Sequence, residues 1–309
     1  MLSRLVRATF VALALPLVAA LPARAVAQQN FDTVTVKALK VAEGVYMLTG
    51  AGGNIGVSIG EDGTVIIDDQ FAPLTPKILA AIKGLTPNAV KFLLNTHVHG
   101  DHTGGNDNFG KTGVIIVAHN SVRERMSKEQ FSARFKSKTP AAPKTALPVV
   151  TFPDAMELHL NGETMMAYHL PHAHTDGDVI IKFARANVVH GGDVFVRYGF
   201  PFIDTESGGS LLGMIAGVQR ILAVTDANTK FIPGHGELAT RADVDAFLTL
   251  LKTVRDRAQS ALGKKTKLEE FLASKPLAEY EAKFGANGFV KADDLLKLAY
   301  DELGAPAKK

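Results

Sequence analysis

The feature that most constrains this chain is a run of metal-ligand side chains directly after a predicted strand. Residues 90–94 are mainly apolar and predict a buried strand, and residues 97–102 then read His-Val-His-Gly-Asp-His. The sheet fixes the backbone at the strand end, while the glycine-rich loop after it lets several side chains converge. The stretch therefore predicts a metal site whose first candidate ligands are His97, His99, Asp101 and His102.

Three further candidate ligands follow or border later predicted strands, in segments where glycine allows close backbone approach. They are His174, Asp193 and His235. Seven ligands exceed the positions of one tetrahedral zinc ion, and they suit two metal ions about 3.5–4 Å apart with one bridging carboxylate. The chain has no cysteine, so the ligands must be histidine and carboxylate, which favours zinc, with manganese or iron as alternatives.

The order of these residues along the chain resembles that of the metallo-β-lactamase superfamily, over about residues 40–240. Gly192-Asp193 and Pro233–Gly236 match the Gly-Asp and Pro-Gly-His-Gly contexts of that family. The resemblance implies an α/β fold, a four-layer αββα sandwich of two mixed β-sheets flanked by helices, with the site at one sheet edge. It implies a first metal ion held by His97, His99 and His174, a second held by Asp101, His102 and His235, and Asp193 as the bridge.

The resemblance also implies a reaction. A hydroxide between two zinc ions is the expected nucleophile, and it attacks an amide, lactone, ester or thioester carbonyl. Asp101 would be the catalytic carboxylate that orients the hydroxide or moves its proton. Several clinical β-lactamases have a cysteine where Asp193 stands, so this chain looks more like glyoxalase II and lactonases. Some of those β-lactamases also use a lysine to bind the drug, a role that Arg197 or Tyr198 could take here unless both are ordinary loop residues.

Other functions remain to be weighed against carbonyl hydrolysis. A phosphodiester or sulfate ester hydrolase would use the same site. An iron-dependent redox enzyme is disfavoured, because flavodiiron relatives usually carry a glutamate where His99 stands. A protein that binds metal without catalysis is disfavoured by the intact ligand set.

The N-terminus predicts export. Arg4 and Arg7 precede an apolar run from Ala8 to Leu21, and residues 25–27 read Ala-Val-Ala. This pattern is typical of a signal peptide, here residues 1–27 (or 1–25), and the run is short for a retained membrane anchor. The mature protein, 28–309, is therefore expected to be periplasmic or secreted and without a stable membrane anchor.

The expected partner is a small-molecule substrate and not nucleic acid, and the charge of the chain gives no information about nucleic-acid binding. The chain carries 34 Lys and Arg against 31 Asp and Glu, and loss of Arg4, Arg7 and Arg24 would leave the two equal. The basic balance thus belongs to the export signal. Without disulfides, stability must come from the core, and the mature length suits one large domain with a C-terminal helical extension. The oligomeric state cannot be read from the sequence.

The remaining patterns predict the scaffold. Strands are predicted at 33–37, 44–48, 55–59, 64–68, 113–118, 156–160, 163–170, 178–183, 187–190 and 230–232. Helices are predicted at 76–85, from a capping box at Ser121 to about 135, and at 211–224, 240–262, 268–283 and 291–303. The proline-rich segment 137–153 fits either an exposed connection or a mobile wall beside the site.

Several polar residues near the ligands are predicted to play secondary parts. Asp68 is a candidate partner that orients the 97–102 loop. His119 and His190 could take a similar role but are more typical of core histidines. His172 is expected not to bind metal, because the context of His174 matches the family better.

Overall fold

Two mixed β-sheets with helices on their outer faces form the computed structural model, which describes residues 30–285 and 288–306. The predicted signal peptide, 1–27, lies outside the described residues. The strands are β1 (Lys37–Ala42), β2 (Val45–Thr49), β3 (Ile55–Gly60), β4 (Gly63–Ile67), β5 (Val90–Leu94), β6 (Ile115–His119), β7 (Gln130–Ser132), β8 (Ser137–Thr139), β9 (Val150–Phe152), β10 (Ala155–Leu160), β11 (Glu163–His169), β12 (Val179–Phe183), β13 (Val188–His190), β14 (Lys230–Ile232) and β15 (Ala239–Thr240). The helices are α1 (Thr75–Lys83), α2 (Gly100–Thr103), α3 (Asn106–Lys111), α4 (Asn120–Met126), α5 (Leu211–Ala223), α6 (Arg241–Gly263), α7 (Leu268–Ala273), α8 (Glu281–Phe284) and α9 (Ala292–Gly304).

The first sheet has the order β1-β2-β3-β4-β5-β6-β9, and the second has the order β10-β11-β12-β13-β14-β15. In the first, β1 to β4 are antiparallel and β4, β5, β6 and β9 run parallel. In the second, only β13 and β14 are parallel. Because β13 and β14 run the same way, their carboxyl ends meet at one edge of the sheet.

The main core lies between the two sheets, where alternate residues of both face inward. Val65, Ile67 and Leu94 of the first sheet pack there with Ile181 and Phe183 of the second. The outer face of the first sheet is covered by α1 and α3, and the outer face of the second by α5, α6 and α9. This is the predicted four-layer sandwich.

Among the residues described, each helix is too short or too polar to cross a membrane. The C-terminal helices instead join the core outside the second sheet, where Leu295 and Leu296 are buried against α6.

Three predicted elements were wrong at their boundaries. A strand was expected at 33–37, but Phe31–Thr33 is a 3-10 helix and β1 begins only at Lys37. The helix expected at 268–283 is divided, because Pro276 disfavours helical backbone at Lys275, which has φ 49°. The third is the helix expected from Ser121 to about 135.

That third helix, α4, starts one residue earlier and ends at Met126. The ring of His119 accepts the Ser121 backbone N–H, so His119 caps the helix. At the other end, the Gln130 amide donates to the Arg125 carbonyl at 3.1 Å, which uses an acceptor that a longer helix would need. Residues 130–139 then form the hairpin β7–β8, and the segment after it is mainly exposed until β9 pairs with β6.

Candidate metal centre

All seven predicted ligands lie at strand ends or in the loops that follow them. The stretch 97–102 leaves β5 and enters the short helix α2, and His174 stands in the loop between β11 and β12. Asp193 lies in a 3-10 helix, Gly192–Val194, just after β13. His235 follows β14, whose carboxyl end lies beside that of β13. The sheet topology thus brings distant parts of the chain to one place.

The ligand atoms form two groups, in each of which they lie within 4.8 Å of one another. The first cluster is His97, His99, His174 and Asp193, and the second cluster is Asp101, His102 and His235. Atoms bound at 2.0–2.1 Å to a tetrahedral zinc ion stand about 3.3 Å apart. In the second cluster, Nε2 of His235 lies 3.2 Å from both Oδ2 of Asp101 and Nε2 of His102. In the first, Nε2 of His174 lies 2.9 Å from Nδ1 of His99.

The Asp193 carboxylate reaches both clusters. Its Oδ2 lies 3.7 Å from Nε2 of His174 and 3.4 Å from Nε2 of His235, and its Oδ1 lies 3.2 Å from Nε2 of His102. This is the position that a bridging carboxylate requires.

Two buried polar atoms indicate that the site is built for a bound group. Nε2 of His97 is buried and has no hydrogen-bond partner, and Oδ1 of Asp193 is buried and makes no hydrogen bond of good geometry, although Nε2 of His102 lies 3.2 Å away. Buried polar atoms are nearly always paired, since leaving one unpaired costs about 1–3 kcal/mol. Both atoms are lone-pair donors aimed into the clusters, so the residues present fit metal ions.

Burial sets the protonation of the first cluster. Burial lowers the pKa of His97 well below its ordinary value and that of His174 to about 4, which favours the neutral imidazole that binds metal.

Burial would raise the pKa of Asp101, but the positive charge of His102 and the hydrogen bond from His235 outweigh it and lower this pKa to about 2. Asp101 is therefore a carboxylate at neutral pH.

Asp68 orients one ligand of the second cluster, in the contact that its position at the end of β4 suggested. Its Oδ2 lies 2.7 Å from Nδ1 of His102 and accepts the Thr96 hydroxyl at the same distance. Oδ1 accepts the Thr96 backbone N–H at 2.7 Å. Because Nδ1 of His102 is engaged, Nε2 is the atom left to face the cluster.

Asp204 was missed by the sequence analysis and does the same for the first cluster. Its Oδ2 lies 2.8 Å from Nε2 of His99, so Nδ1 of that ring faces the cluster. Its Oδ1 accepts the backbone N–H groups of Glu206 and Ser207, both at 3.0 Å. Those two bonds form an Asx-type turn, and the local sign in the sequence is an aspartate at the start of a polar, glycine-containing segment.

The other histidines take the structural roles that were thought more typical of them. The ring of His190 is buried, and its Nε2 lies 3.0 Å from the Asn54 carbonyl oxygen. His119 stacks on His169 at 3.6 Å and bonds main-chain atoms with both ring nitrogens. His172 lies outside both clusters, with Nδ1 2.9 Å from the Gly208 carbonyl oxygen.

Two glycines are required by the closeness of the backbone to the ligands. A Cβ at Gly53 would overlap the ring of His102, and a Cβ at Gly234 would overlap Oδ1 of Asp193. Any larger residue at either position would displace a ligand.

The open side of the site is bordered by the less buried ligands. The side chains of His99, Asp101 and His235 are 23 %, 29 % and 21 % exposed, while His102 and His174 are fully buried. This is therefore the side from which solvent reaches the candidate ligands.

Tyr198 lies on the open side, but Arg197 does not. The Tyr198 ring centroid is 5.5 Å from that of His235, and burial raises its pKa, so it is a neutral phenol. Arg197 donates to the Leu238 carbonyl at 2.7 Å and pairs with Asp243. Of the two residues suggested for substrate binding, Tyr198 lies beside a candidate ligand, whereas the Arg197 guanidinium is engaged by Leu238 and Asp243.

Comparisons with known proteins agree with this site. The family model of the metallo-beta-lactamase superfamily matches residues 48–246. A hydroxyacylglutathione hydrolase of Nitrosococcus oceani is 27 % identical over 144 residues, which are 46 % of this chain and 47 % of that protein. The chain thus matches about half the length of this curated relative.

Solved structures resemble the chain in fold. A metallo-beta-lactamase from Pontibacter korlensis has a TM-score of 0.59 at 20 % identity and covers 71 % of this chain and 99 % of its own. A stereoselective inverting sec-alkylsulfatase from Pseudomonas sp. has a TM-score of 0.68 at 16 % identity, over 86 % of this chain and 50 % of its own. Because the family model spans more than half of the chain and includes all seven clustered residues, the chain belongs to the metallo-β-lactamase superfamily.

Proposed function

We propose that this protein is an exported hydrolase with two zinc ions that cleaves an amide, lactone, ester or thioester. The observation that carries the proposal is the pair of clusters joined by Asp193, with Nε2 of His97 buried and without a hydrogen-bond partner. Two ions bound there would lower the pKa of water to near neutral and polarise the substrate carbonyl.

The residues around the clusters divide the remaining tasks. His97, His99 and His174 would hold the first ion, and Asp101, His102 and His235 the second, with Asp193 between them. Asp68 and Asp204 keep two of the rings in the orientation that binding requires.

Asp101 is the best candidate for moving a proton during the reaction. Its carboxylate is 29 % exposed on the open side, whereas that of Asp193 is 8 % exposed. An ionised carboxylate in this position can orient the attacking water and accept its proton.

A second candidate function is sulfate ester hydrolysis. The similarity to the alkylsulfatase extends over 86 % of this chain, more than the similarity to the β-lactamase from Pontibacter korlensis. At such low identity the likeness is one of fold, and a site that binds two metals serves both reactions. Substrate tests must therefore include an alkyl sulfate.

The first experiment is elemental analysis of the purified mature protein, followed by a hydrolase panel. The panel contains nitrocefin, an acyl lactone, a thioester, an ester, a phosphodiester and an alkyl sulfate. About two zinc ions per chain, with turnover of a carbonyl substrate, would support the proposal. Turnover of the alkyl sulfate alone would favour the second candidate, and an iron centre with oxygen chemistry would refute both. If the protein contains manganese or iron and hydrolyses a carbonyl substrate, only the identity of the metal in the proposal changes.

Export is tested separately. Expression of the full chain in a bacterium, followed by fractionation and N-terminal sequencing, should give a periplasmic or secreted protein that begins at Gln28 or Val26. A protein that stays in the cytoplasm and retains residues 1–27 would contradict this part of the proposal.

A further inference from the structure

The hairpin β7–β8 lies beside the open side of the metal centre. Its turn consists of residues 133–136, and Arg134 and Phe135 are called the hairpin tip below. Glu206 anchors it, since its carboxylate accepts the Ala133 backbone N–H at 3.0 Å and the Ser132 hydroxyl at 2.9 Å. Glu206 stands two residues after Asp204, so the hairpin is attached to the loop that orients His99.

Aromatic rings connect the hairpin tip to the ligands. The Phe202 ring lies 5.8 Å from the ring of His174 and 6.1 Å from that of His99. The same ring lies 6.3 Å from the ring of Phe135 and 5.9 Å from that of Phe289. Phe135 is 56 % and Phe289 is 45 % exposed, so the patch has apolar surface that the described residues leave uncovered.

Arg134 adds one positive charge to this patch. Its guanidinium carbon lies 4.9 Å from the centre of the Phe202 ring and 5.6 Å from that of Phe289, and it donates to the Phe289 carbonyl at 3.2 Å. It pairs with no carboxylate among residues 30–285 and 288–306. The guanidinium therefore keeps free donors for an anion.

We infer that the hairpin tip, Phe202 and Phe289 select substrates in which an apolar spacer separates the scissile carbonyl from an anionic group. The inference rests on the proposed function and narrows its substrate class. With the carbonyl at the clusters, the spacer lies across Phe202 and the anion reaches Arg134. The centre of the Phe202 ring lies 4.9 Å from the guanidinium carbon of Arg134 and about 6 Å from the rings of His99 and His174. A small molecule can therefore reach from the clusters to Arg134.

Two features favour a substrate over a protein partner on this patch. The rings continue directly into the ligand set, because Phe202 contacts both His99 and His174. The patch also combines apolar rings with a single cation, which matches an amphiphilic anion.

The test uses two para-nitrophenyl esters of equal acyl length, the hexanoate and the adipate monoester, which differ in a terminal methyl or carboxylate. The purified metal-loaded protein should have the higher kcat/KM for the adipate ester. In Arg134→Met, the ratio of the two kcat/KM values should fall about two- to fivefold, mainly through KM, which is the range for an exposed charge pair. Lys136→Met is the matched control, since it removes a charge from the same turn, and it should keep the ratio of the unaltered protein.

An unchanged ratio in Arg134→Met, or an equal fall in Lys136→Met, would overturn the inference. If neither ester is hydrolysed, only the ester part of the proposed function fails, and the patch is then tested by binding. Calorimetric binding of phenylbutanoate and phenylbutanamide then tests the patch, and tighter binding of the acid should disappear in Arg134→Met. Concentration-dependent dimerisation that Phe135→Ser abolishes would instead assign the patch to a second copy of this chain.

Discussion

Replacement of Asp204 by asparagine tests whether this carboxylate holds the first metal site together. Oδ2 accepts from Nε2 of His99, and Oδ1 accepts from the backbone N–H groups of Glu206 and Ser207. An asparagine has only one oxygen. If the asparagine oxygen faces His99, the NH₂ group is turned towards the two backbone N–H groups, which cannot accept from it. If the oxygen faces the backbone N–H groups, the NH₂ group is turned towards the ring of His99.

The size of the effect follows from what these bonds do. Burial would raise the pKa of Asp204, but hydrogen bonds from His99 and Ser207 outweigh it and hold the pKa well below its ordinary value. The side chain is 13 % exposed, so solvent compensates little for its loss. Loss of such an orienting partner typically costs 10–100-fold in metal affinity, or about 1.4–2.7 kcal/mol.

We expect Asp204→Asn to weaken metal binding at the first cluster by this factor and to leave metal binding at the second cluster nearly unchanged. Competition with a chromophoric chelator measures both dissociation constants, and the absorption spectrum of the cobalt-substituted protein reports on the first site. Asp176→Asn is the matched control, because it breaks a carboxylate pair with Arg125 nearby without touching a ligand. If Asp204→Asn and the unaltered protein bind metal at the first cluster with equal affinity, the reasoning is refuted.

Four other predictions concern the site and the core. Gly53→Ala should displace the ring of His102 and lose metal and activity, whereas Gly100→Ala, whose Cβ meets no atom, should keep both; elemental analysis and turnover compare the pair. His99→Ala should lose metal and activity but keep its circular dichroism spectrum, and full activity would contradict the ligand assignment. Removal of metal by a chelator should lower the melting temperature, since a ligand that binds only the folded state stabilises it. Phe183→Ala should cost about 3–5 kcal/mol in denaturant unfolding, because Phe183 is fully buried between the sheets.

The grouping of the seven candidate ligands could be anticipated because each follows or borders a strand. A strand end is visible in sequence as an apolar run that stops, and the sheet then decides where the side chain lies. His97 and His99 leave β5 in this way, and Asp193 and His235 leave the neighbouring strands β13 and β14. Local patterns and topology agree at these positions, so the sequence contains most of the information about the metal centre.

Asp204 could not be anticipated in the same way. It is 105 residues from His99 in the chain, and it lies in a loop without periodicity, so no local pattern connects the two. Asp68 was easier to identify, since it directly follows β4, which pairs with the strand that leads to His102. A carboxylate that orients a ligand from an irregular loop becomes visible only when the fold is known.

The helix predicted at residues 121–135 was wrong in a segment that bears on the proposed substrate selection. Phe131 and Phe135 are spaced as on one face of a helix, but they are 60 % and 56 % exposed on the hairpin β7–β8. Apolar residues at helical spacing normally indicate a buried face. Here the rings lie at the surface, and Phe135 joins the patch beside the ligands through Phe202. The helical-spacing rule failed at the hairpin because its aromatic side chains are exposed. This hairpin is also where we propose that the substrate is selected. The candidate ligands therefore lie at strand ends that sequence patterns locate, whereas the patch that we propose selects the substrate lies in irregular segments that they do not.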